Sequence, residues 1–315
     1  MYKVLIPEDI AQSGKDYLTQ RGYHLKVGVP TDIESLRREV ADADALIVRN
    51  TRYPKEVLEA GKRLKVVARH GTGVDNIDVE AAEAMGIWVV NGPIANINAV
   101  AEHTVGMMMA LSCHILRCDE RTRAGDWSYR LKMQRRELRG QVLGLVGFGR
   151  IGSMVAVKAA GLGMNVIAYD LRRPDSLPPN TEIVDSIELV IKDADYVSVH
   201  LPSTADTRGM FNYGFFSRMK PTACFINCAR GDLYVEADLV RALKEGLIAG
   251  AALDVYAAEP PGDTELLKME QVVLSQHNAG LSQESTANMS LCAAMGVDEV
   301  LSGMRPKWPV NNPSR

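Results

Sequence analysis

The amino-acid sequence predicts an α/β fold in which two domains each contain a parallel β-sheet. Short apolar runs alternate with helical patterns through the N-terminal third of the chain. A glycine-rich turn also stands between an apolar run and a helical stretch near the middle. The chain has 315 residues with 46% hydrophobic content, which is enough for two cores of ordinary size.

In the N-terminal region, apolar runs predict strands at residues 4–6, 24–27, 45–48, 64–68 and 87–90. Helix starts are indicated by a capping box at residues 31–34, by Pro54 and by Asp78. Strands that alternate with helices favour a parallel sheet, because each crossover returns the chain in the same direction.

A long apolar helical pattern then covers residues 99–117 and leads into the second half of the chain. Further strands are predicted at residues 142–146, 165–169, 196–199, 223–226, 250–253 and 272–274. One more helix, at residues 283–301, is predicted to close the chain.

The glycine-rich turn is a GxGxxG pattern formed by Gly147, Gly149 and Gly152. The predicted strand precedes it and a helical stretch at residues 150–161 follows, which is the context of a dinucleotide-binding turn of the Rossmann type. In such a turn the glycines let the backbone approach the pyrophosphate at the helix N-terminus. Taken alone, the pattern is also that of an ordinary glycine-rich turn.

Asp170 ends the next predicted strand, eighteen residues after Gly152. A carboxylate at this place accepts hydrogen bonds from the adenosine ribose hydroxyls and repels a 2′-phosphate. The sequence therefore favours NAD over NADP as the cofactor, although Arg172 and Arg173 just beyond Asp170 weaken this inference.

The late position of the glycine-rich turn predicts a discontinuous architecture. Residues 1–98 and 283–315 are expected to form a substrate domain resembling flavodoxin in its parallel sheet. Residues 99–282 are expected to form a Rossmann-like NAD-binding domain inserted into it. A cleft is expected between the two domains.

Composition limits the classes of partner. A formal net charge of −3 and a pI near 6.1 give no electrostatic footprint for nucleic acid or an anionic membrane. No apolar stretch reaches the roughly 20 residues needed to span a bilayer, and the first residues read as a strand. We expect a soluble, cytoplasmic protein.

The chain has 5 cysteines in mostly apolar settings, which suits reduced thiols in a reducing compartment. No zinc-ligand spacing is present, so no metal site is predicted. Cys113 and His114 are adjacent, but they lie in an apolar helical stretch and are expected to be part of a core.

Most predicted strands end in residues that can do chemistry, and ligands of parallel sheets bind at the carboxyl ends of the strands. The groups concerned are Arg49, residues 69–73, residues 228–231, Asp254 with Glu259, and His277. Together they place arginines, a glycine-rich loop, two acids and a histidine beside a dinucleotide.

This set predicts hydride transfer to or from a carbon that bears a hydroxyl group, since the hydroxyl needs a base on oxidation and an acid on reduction. His277 is the candidate acid/base, and Glu259 would hold its tautomer and stabilise the imidazolium. Arg230 would bind a carboxylate and polarise the adjacent carbonyl, which indicates 2-hydroxy and 2-keto acids. On spacing alone, His277 could also be an ordinary loop histidine.

The other histidines are weaker candidates. His24, His103 and His114 are expected to be structural, whereas His200 stands at a strand end where it could touch the cofactor. Motifs for short-chain dehydrogenases, phosphate-loop proteins, zinc proteases and nucleophile-elbow hydrolases are absent from the sequence.

Several segments resemble the D-isomer-specific 2-hydroxyacid dehydrogenase family over almost the whole chain. The matching segments are residues 71–78, 96–102, 144–152, 227–231, 252–255 with 259–260, and 277–280. Several independent motifs in the family's order make this resemblance specific.

The resemblance implies Arg230, Glu259 and His277 as the catalytic set, and Gly71 and Gly73 in a loop whose amides bind the substrate carboxylate. It implies a homodimer with the long helix after Ala99 at its interface. It also implies positions near the cofactor, with Asp254 facing the nicotinamide carboxamide; besides the three glycines of the turn these are Thr72, Arg150, Ile151, Asp170, Leu201, Cys228, Asp254 and Gly280.

Within the family, the chain is most similar to phosphoglycerate dehydrogenase catalytic cores and hydroxypyruvate reductases. Arg49, Arg69 and Arg130 match positions where the phosphoglycerate branch places cations, which implies a substrate with a second anionic or polar group. The chain is expected to lack the regulatory tail domain of many serine-pathway enzymes, a difference that decides little because short versions of these enzymes exist. Ala99 and Gln276 depart from the serine and proline of many relatives, and neither removes a catalytic group.

Two other readings remain. The corepressors related to this family keep its catalytic residues and use NAD(H) binding to drive assembly with protein partners, so an NAD(H)-sensing binding protein is the alternative function. Formate dehydrogenases share the architecture but resemble a pattern with glutamine at the position of Glu259, so the acid argues against formate.

Overall fold

The computed structural model describes residues 1–133 and 135–314. The chain divides into two compact units. Unit 1 comprises Met1–Asn96 and Leu281–Arg315, and unit 2 comprises Ile97–Gly280. Each border lies two residues before the one that the sequence predicts, and the role of unit 1 as a substrate domain stays a prediction.

The elements alternate between strands and helices along most of the chain. The strands are β1 (Lys3–Ile6), β2 (His24–Val27), β3 (Ala45–Val48), β4 (Val66–Arg69), β5 (Trp88–Val90), β6 (Val142–Val146), β7 (Asn165–Tyr169), β8 (Thr181–Ile183), β9 (Tyr196–Val199), β10 (Cys224–Asn227), β11 (Gly250–Leu253) and β12 (Val272–Leu274). The α-helices are α1 (Gln12–Gln20), α2 (Ile33–Val40), α3 (Lys55–Ala60), α4 (Val79–Ala84), α5 (Ile97–Ser112), α6 (Ile115–Arg123), α7 (Arg150–Gly161), α8 (Ile187–Asp193), α9 (Tyr213–Phe216), α10 (Glu236–Lys244) and α11 (Gln283–Leu301). Short 3₁₀ helices cover Trp127–Leu131, Gly231–Leu233 and Glu265–Lys268.

Unit 1 contains a parallel sheet with the strand order β2-β1-β3-β4-β5. This is the order of flavodoxin-like sheets, in which ligands bind at the carboxyl ends of the strands near the β1/β3 switch point. The α/β fold class predicted from the sequence is confirmed.

The side chains of β1 alternate between the two faces of the sheet of unit 1, and both faces are buried. Val4 and Ile6 pack on one face, against α1 and α11, whereas Leu5 packs on the other, against α2 and α4. The N-terminus of α4 is capped by Asp78, as the sequence predicts, because the Asp78 carboxylate accepts a hydrogen bond from the amide of Ala81.

Unit 2 contains a parallel sheet with the order β12-β11-β10-β9-β6-β7-β8 within the described residues. Counted from β6, this is the doubly wound Rossmann order with one further strand. The switch point lies between β6 and β9, directly beside the glycine-rich turn.

Both faces of this second sheet are covered as well. One face carries an aromatic cluster in which the rings of Phe211 and Phe215 meet edge to face, with centroids 4.8 Å apart. The other face packs against α5 and α7 through residues such as Met108 and Val155. The strands are thereby buried on both sides, which explains why they read as continuous apolar runs.

Three details differ from the sequence-based expectations. Asp32, and not Thr31, caps α2, because its carboxylate accepts a hydrogen bond from the amide of Ser35 at 2.9 Å. The predicted helix at residues 99–117 is broken at His114, whose φ is +51°. Strand β8 was not predicted, since its three residues are only partly buried or exposed.

No single helix in the described part of the chain is long and apolar enough to cross a membrane. Helices α5 and α6 together satisfy the same criterion of length and composition, but they meet at a bend of 57°.

Candidate active site

The glycine-rich turn connects β6 to α7 in unit 2, and each of its glycines has a different environment. A Cβ atom at Gly147, where φ is +100°, would lie 2.6 Å from the carbonyl oxygen of His200. A Cβ atom at Gly152 would lie 2.2 Å from the carbonyl oxygen of Gly147. Close packing between the turn, the helix and β9 therefore requires both glycines.

Gly149 is different, because a Cβ atom there would have no atom within 4 Å apart from those of its neighbours in the chain. Packing does not require a glycine at this N-cap position of α7, so the open side of the backbone is left for the approach of a ligand. The first turn of a helix binds anions through its unpaired amides. The turn thus fits the pyrophosphate of a dinucleotide.

Asp170 lies directly beside the glycine-rich turn, at the end of β7. Its Oδ2 atom accepts a hydrogen bond of 2.7 Å from the amide of Phe148, and its Oδ1 atom accepts one of 2.9 Å from the amide of Arg172. These bonds fix the carboxylate next to the turn. Arg173, by contrast, pairs with Asp185 on the surface.

Ile151 lies within the same glycine-rich pattern, and Leu201 lies beside it. Both are partly buried, and the Cδ2 atom of Leu201 would lie 3.2 Å from a Cβ atom at Gly147. His200 is engaged with the protein, since its Nε2 atom lies 3.0 Å from Ser198 Oγ. Burial lowers the pKa of His200 to about 4, so this imidazole is neutral near pH 7.

Cys228 follows β10 at the same edge of the sheet and is buried. Its Sγ atom lies 3.6 Å from the sulfur of Met107. Burial raises the pKa of its thiol to about 12, which keeps the sulfur protonated at neutral pH. Cys228 therefore contributes a neutral, apolar surface and is not an activated nucleophile.

His277 and Glu259 form the central pair of unit 2. The His277 Nδ1 atom lies 2.7 Å from Glu259 Oε2, and the side chains are 50% and 38% exposed. The other carboxylate oxygen of Glu259 accepts a hydrogen bond of 3.2 Å from the amide of Tyr256. The carboxylate thus joins the histidine to the backbone.

The backbone of His277 has a φ of +50°, which is unusual for a residue other than glycine. Such conformations persist only where surrounding contacts hold them, and they are frequent at functional sites. Here the His277 amide donates a hydrogen bond of 2.7 Å to the carbonyl oxygen of Asp254.

The Asp254 carboxylate also holds the segment of chain around His277. It is buried and accepts hydrogen bonds from Ser275 Oγ at 2.6 Å, from the amide of Asn278 at 2.9 Å and from the amide of Ala279 at 3.0 Å. The chain on both sides of His277 is therefore tied to the end of β11. The contact of Asp254 with a nicotinamide stays a prediction. The predicted position of Gly280, the last residue of unit 2, near the cofactor stays a prediction as well.

Sequence reasoning missed several members of this network. Ser275 and Tyr256 have no motif of their own, and Asn278 was matched only as part of the segment 277–280, without a role. His103, expected to be structural only, lies 2.9 Å from Ser275 Oγ through its Nε2 atom. What these four residues share is their position. Ser275, Tyr256 and Asn278 follow the ends of β11 and β12, and His103 faces these strands from α5.

Arg230 lies in a tight loop after β10 that is held by Asn227. The Asn227 side chain accepts a hydrogen bond of 2.9 Å from the amide of Ala229 and donates one of 2.8 Å to the carbonyl oxygen of Arg230. Arg230 Nη1 itself donates to the carbonyl oxygen of Ala229 at 2.7 Å. The structure thus brings Arg230, Asp254, Glu259 and His277 to the carboxyl edge of one sheet.

In unit 1, the predicted substrate-binding residues lie at the end of β4 or directly after β3 and β4. Arg49 Nη1 donates a hydrogen bond of 2.7 Å to the carbonyl oxygen of Asp9. Arg69 donates to the carbonyl oxygens of His70 and Gly73, in the loop that contains Gly71. Thr72 Oγ1 donates to Asn96 Oδ1 at 3.0 Å, within this unit.

His70 is buried beneath this loop. Its Nε2 atom has no hydrogen-bond partner among the residues that the structure describes. Burial, followed by the charges of Arg49 and Arg69, lowers its pKa to about 4, so the imidazole is neutral at neutral pH. Arg130, in unit 2, lies in the 3₁₀ helix Trp127–Leu131.

No group of three or more histidine, cysteine, aspartate or glutamate side chains suited to hold a metal ion is present at positions 1–133 and 135–314.

Comparison with known proteins places these features in a family. Residues 105–279 match the model of the D-isomer specific 2-hydroxyacid dehydrogenase NAD binding domain. The chain is 38% identical over 316 residues to D-3-phosphoglycerate dehydrogenase of Archaeoglobus fulgidus, covering 99% of this chain and 60% of that protein. It is 37% identical over 290 residues to glyoxylate reductase of Thermofilum pendens, covering 90% and 85% of the two chains.

Among solved structures, the TT0316 protein of Thermus thermophilus superposes with a TM-score of 0.90 at 32% identity, covering 98% of this chain and 100% of that chain. The chain spans 50–60% of the length of the D-3-phosphoglycerate dehydrogenases that it matches here. A matched family model over more than half of the chain, together with these relatives, establishes that the chain belongs to the D-isomer specific 2-hydroxyacid dehydrogenase family.

Proposed function

We propose that the protein is an NAD-dependent dehydrogenase that interconverts a D-2-hydroxy acid and its 2-keto acid. The observation that carries this proposal is the contact of 2.7 Å between His277 Nδ1 and Glu259 Oε2, in the unit that matches the family's NAD binding domain. A histidine braced by a carboxylate is suited to move a proton in both directions.

In this proposal the His277 Nδ1–H group donates to Glu259, which leaves Nε2 for the substrate. During oxidation Nε2 takes the proton of the substrate hydroxyl, and during reduction it returns the proton to the carbonyl oxygen. The Glu259 carboxylate stabilises the imidazolium that forms during oxidation. Bound NAD supplies the acceptor for the hydride that leaves the same carbon, and NADH supplies the hydride in the reverse direction.

Arg230 is proposed to bind the substrate carboxylate and to polarise the adjacent carbonyl oxygen. Its loop supports this role, since Asn227 fixes the backbone on both sides of Ala229. A guanidinium held in advance stabilises developing negative charge without reorganisation during the reaction. Gly71 and Gly73 are proposed to offer their amides to the same class of carboxylate.

The cofactor is proposed to be held by the glycine-rich turn, with its pyrophosphate at the N-terminus of α7 and its adenosine ribose on Asp170. The open side of Gly149 supports this placement. Further positions proposed to lie near the cofactor are Thr72, Arg150, Ile151, Leu201, Cys228, Asp254 and Gly280.

The substrate is proposed to carry a second polar or anionic group, recognised by Arg49. The similarity to a D-3-phosphoglycerate dehydrogenase and to a glyoxylate reductase supports a short substrate of this kind. Phosphohydroxypyruvate, hydroxypyruvate and glyoxylate are the first compounds to test.

We further propose a homodimer in the cytoplasm. Exposed apolar side chains on α6 and the following 3₁₀ helix support an interface there, since Leu116, Trp127 and Leu131 are 52%, 70% and 81% exposed. The cysteines of the described residues are all free thiols, which supports a reducing compartment.

The test of the proposed function is the oxidation of NADH, followed by its absorbance, with glyoxylate, hydroxypyruvate, phosphohydroxypyruvate, pyruvate and a branched 2-keto acid. Each compound is also tested with NADPH. We expect turnover with at least one compound and a preference for NADH. Tight NADH binding without turnover of any 2-keto acid would contradict the proposal.

A further inference from the structure

The loop after β4 has all of its carbonyl groups bound to donors of unit 1. The carbonyl oxygens of residues 70–73 accept hydrogen bonds, in chain order, from Arg69 Nη1 at 2.8 Å, Gly92 N at 2.8 Å, Asn91 Nδ2 at 2.7 Å and Arg69 Nε at 2.7 Å. Arg69 therefore holds the first and the last carbonyl of the loop.

The amide N–H groups of the same loop differ from its carbonyl groups in this respect. Within the described residues, the N–H groups of Gly71, Thr72 and Gly73 have no hydrogen-bond partner. In a trans peptide the C=O and N–H groups point in opposite directions. Each donor that holds a carbonyl group therefore turns the following amide away from itself, which leaves three successive amides as donors suited to an anion.

The guanidinium of Arg69 lies close to these amides. Its Cζ atom would be 3.6 Å from a Cβ atom at Gly71, and its Nε and Nη1 atoms bind the carbonyls of Gly73 and His70. The side chain is thus used as a two-point brace of the backbone, and its positive charge lies close to the outward-facing amides.

We propose that Arg69 is a positioning residue that orients the amides of residues 71–73 toward the carboxylate common to all 2-keto acid substrates. This inference rests on the proposed function, and it replaces a direct contact between Arg69 and a second substrate group. A brace acts on every substrate that has the common carboxylate, whereas a direct contact acts only on substrates that carry the second group.

The experiment compares Arg69→Lys with the wild-type enzyme on glyoxylate, pyruvate and phosphohydroxypyruvate. Lysine keeps the charge but lacks the planar fork that reaches two carbonyls. We expect kcat/KM to fall by about tenfold or more for all three compounds to a similar extent, mainly through KM. Arg63→Lys is the matched control, because Arg63 forks onto Asp44 in the same unit, and its kcat/KM is expected to stay within about twofold of wild type.

A loss confined to phosphohydroxypyruvate would assign Arg69 to the second substrate group and overturn the brace. Unchanged kinetics for all three compounds would overturn it as well. Far-UV circular dichroism, the melting temperature and NADH affinity establish that the variant is folded.

A binding experiment separates this inference from the proposed reaction. Oxalate, a carboxylate that is not turned over, is titrated into the enzyme–NADH complex of wild type and Arg69→Lys. We expect at least tenfold weaker binding to the variant, even if no 2-keto acid proves to be a substrate; equal affinities, or no binding to wild type, would overturn the brace.

If the variant does not fold, ¹H–¹⁵N spectra of the wild-type complex decide: oxalate should shift the amide signals of residues 71–73, and unmoved signals would contradict the inference.

Discussion

A Cβ atom at Gly231 would lie 2.0 Å from both the carbonyl carbon and the carbonyl oxygen of Tyr256. The loop that carries Arg230 and the loop that carries Glu259 therefore pack backbone against backbone. Since Tyr256 also donates its amide to Glu259, this contact sets the distance between the proposed arginine and the carboxylate that braces His277.

Gly231→Ala should consequently separate the two loops. A backbone atom cannot move aside as a flexible side chain can, so we expect a destabilisation of about 1–3 kcal/mol. We also expect a loss of kcat/KM of about 100-fold, because small displacements of positioned groups are costly to catalysis. Melting temperature and steady-state kinetics measure both effects. Gly161→Ala is the control, since a Cβ atom there meets no protein atom within 4 Å; equal behaviour of the two variants would contradict the argument.

Glu259→Gln should lower kcat by about 100-fold or more while NADH affinity is retained. The carboxylate offers one oxygen to the Tyr256 amide and the other to His277, whereas a glutamine side chain has one acceptor oxygen for the two donors. It also lacks the charge that stabilises an imidazolium. Single-turnover reduction measures the effect, with the exposed Glu265→Gln as control. A variant with wild-type kcat would remove Glu259 from the proposed mechanism.

His277→Asn should abolish most turnover in both directions and leave NADH binding intact. Asparagine enters the left-handed backbone region more readily than most residues, so the loop keeps its shape and only the proton-transfer group is lost. Fluorescence titration with NADH and kinetics of both reactions give the two readouts. Persistence of normal turnover would assign the proton transfer to another group.

Asp254→Asn should destabilise unit 2 and impair turnover together. The two oxygens of the Asp254 carboxylate accept hydrogen bonds from the backbone amides of Asn278 and Ala279. The side chain of the asparagine has one oxygen and one NH₂ group, so one of these buried donors would lose its acceptor. An unsatisfied buried donor costs about 1–3 kcal/mol, which corresponds to a drop of roughly 5 °C in melting temperature for a unit of this size. Calorimetry measures the drop, and the exposed Asp263→Asn should show none. An unchanged melting temperature would mean that these contacts contribute little.

Asp170→Ala should reduce the preference for NADH over NADPH by about tenfold or more, because the repulsion of a 2′-phosphate is removed. The ratio of kcat/KM for the two cofactors measures the preference. Asp185→Ala, which removes a nearby surface acid paired with Arg173, is the control. If the ratio stays constant in Asp170→Ala, the carboxylate is not on the ribose.

The parallel sheets and the glycine-rich turn could be predicted because their signals are local. Helix α7 has the predicted bounds, since a glycine turn precedes it and the apolar spacing is regular. Strand β8 escaped prediction because it lies at the edge of its sheet, where a strand needs no apolar run. The helix break at His114 has no glycine or proline to mark it, so only the packing of the folded unit determines it.

The site was predictable to a similar degree. The proximity of His277 and Glu259 followed from their positions after neighbouring strands β12 and β11. The hydrogen bonds of Asp254 to the segment around His277 depend on where backbone amides point after folding, which no side-chain pattern records. The same holds for Arg69, whose hydrogen bonds to the backbone of its own loop no sequence pattern indicated; its predicted contact with the substrate stays a prediction.

The bend at His114 divides one continuous stretch of chain into two helices whose tolerance of substitution is expected to differ. Before it, α5 contributes buried residues such as Ala101 and Met108 to a core; after it, α6 has none. Substitutions before the bend must fit the volume available in that core. No residue of α6 is buried, so substitutions there are expected to change chiefly the surface of unit 2 and to leave the sheet that α5 supports unchanged.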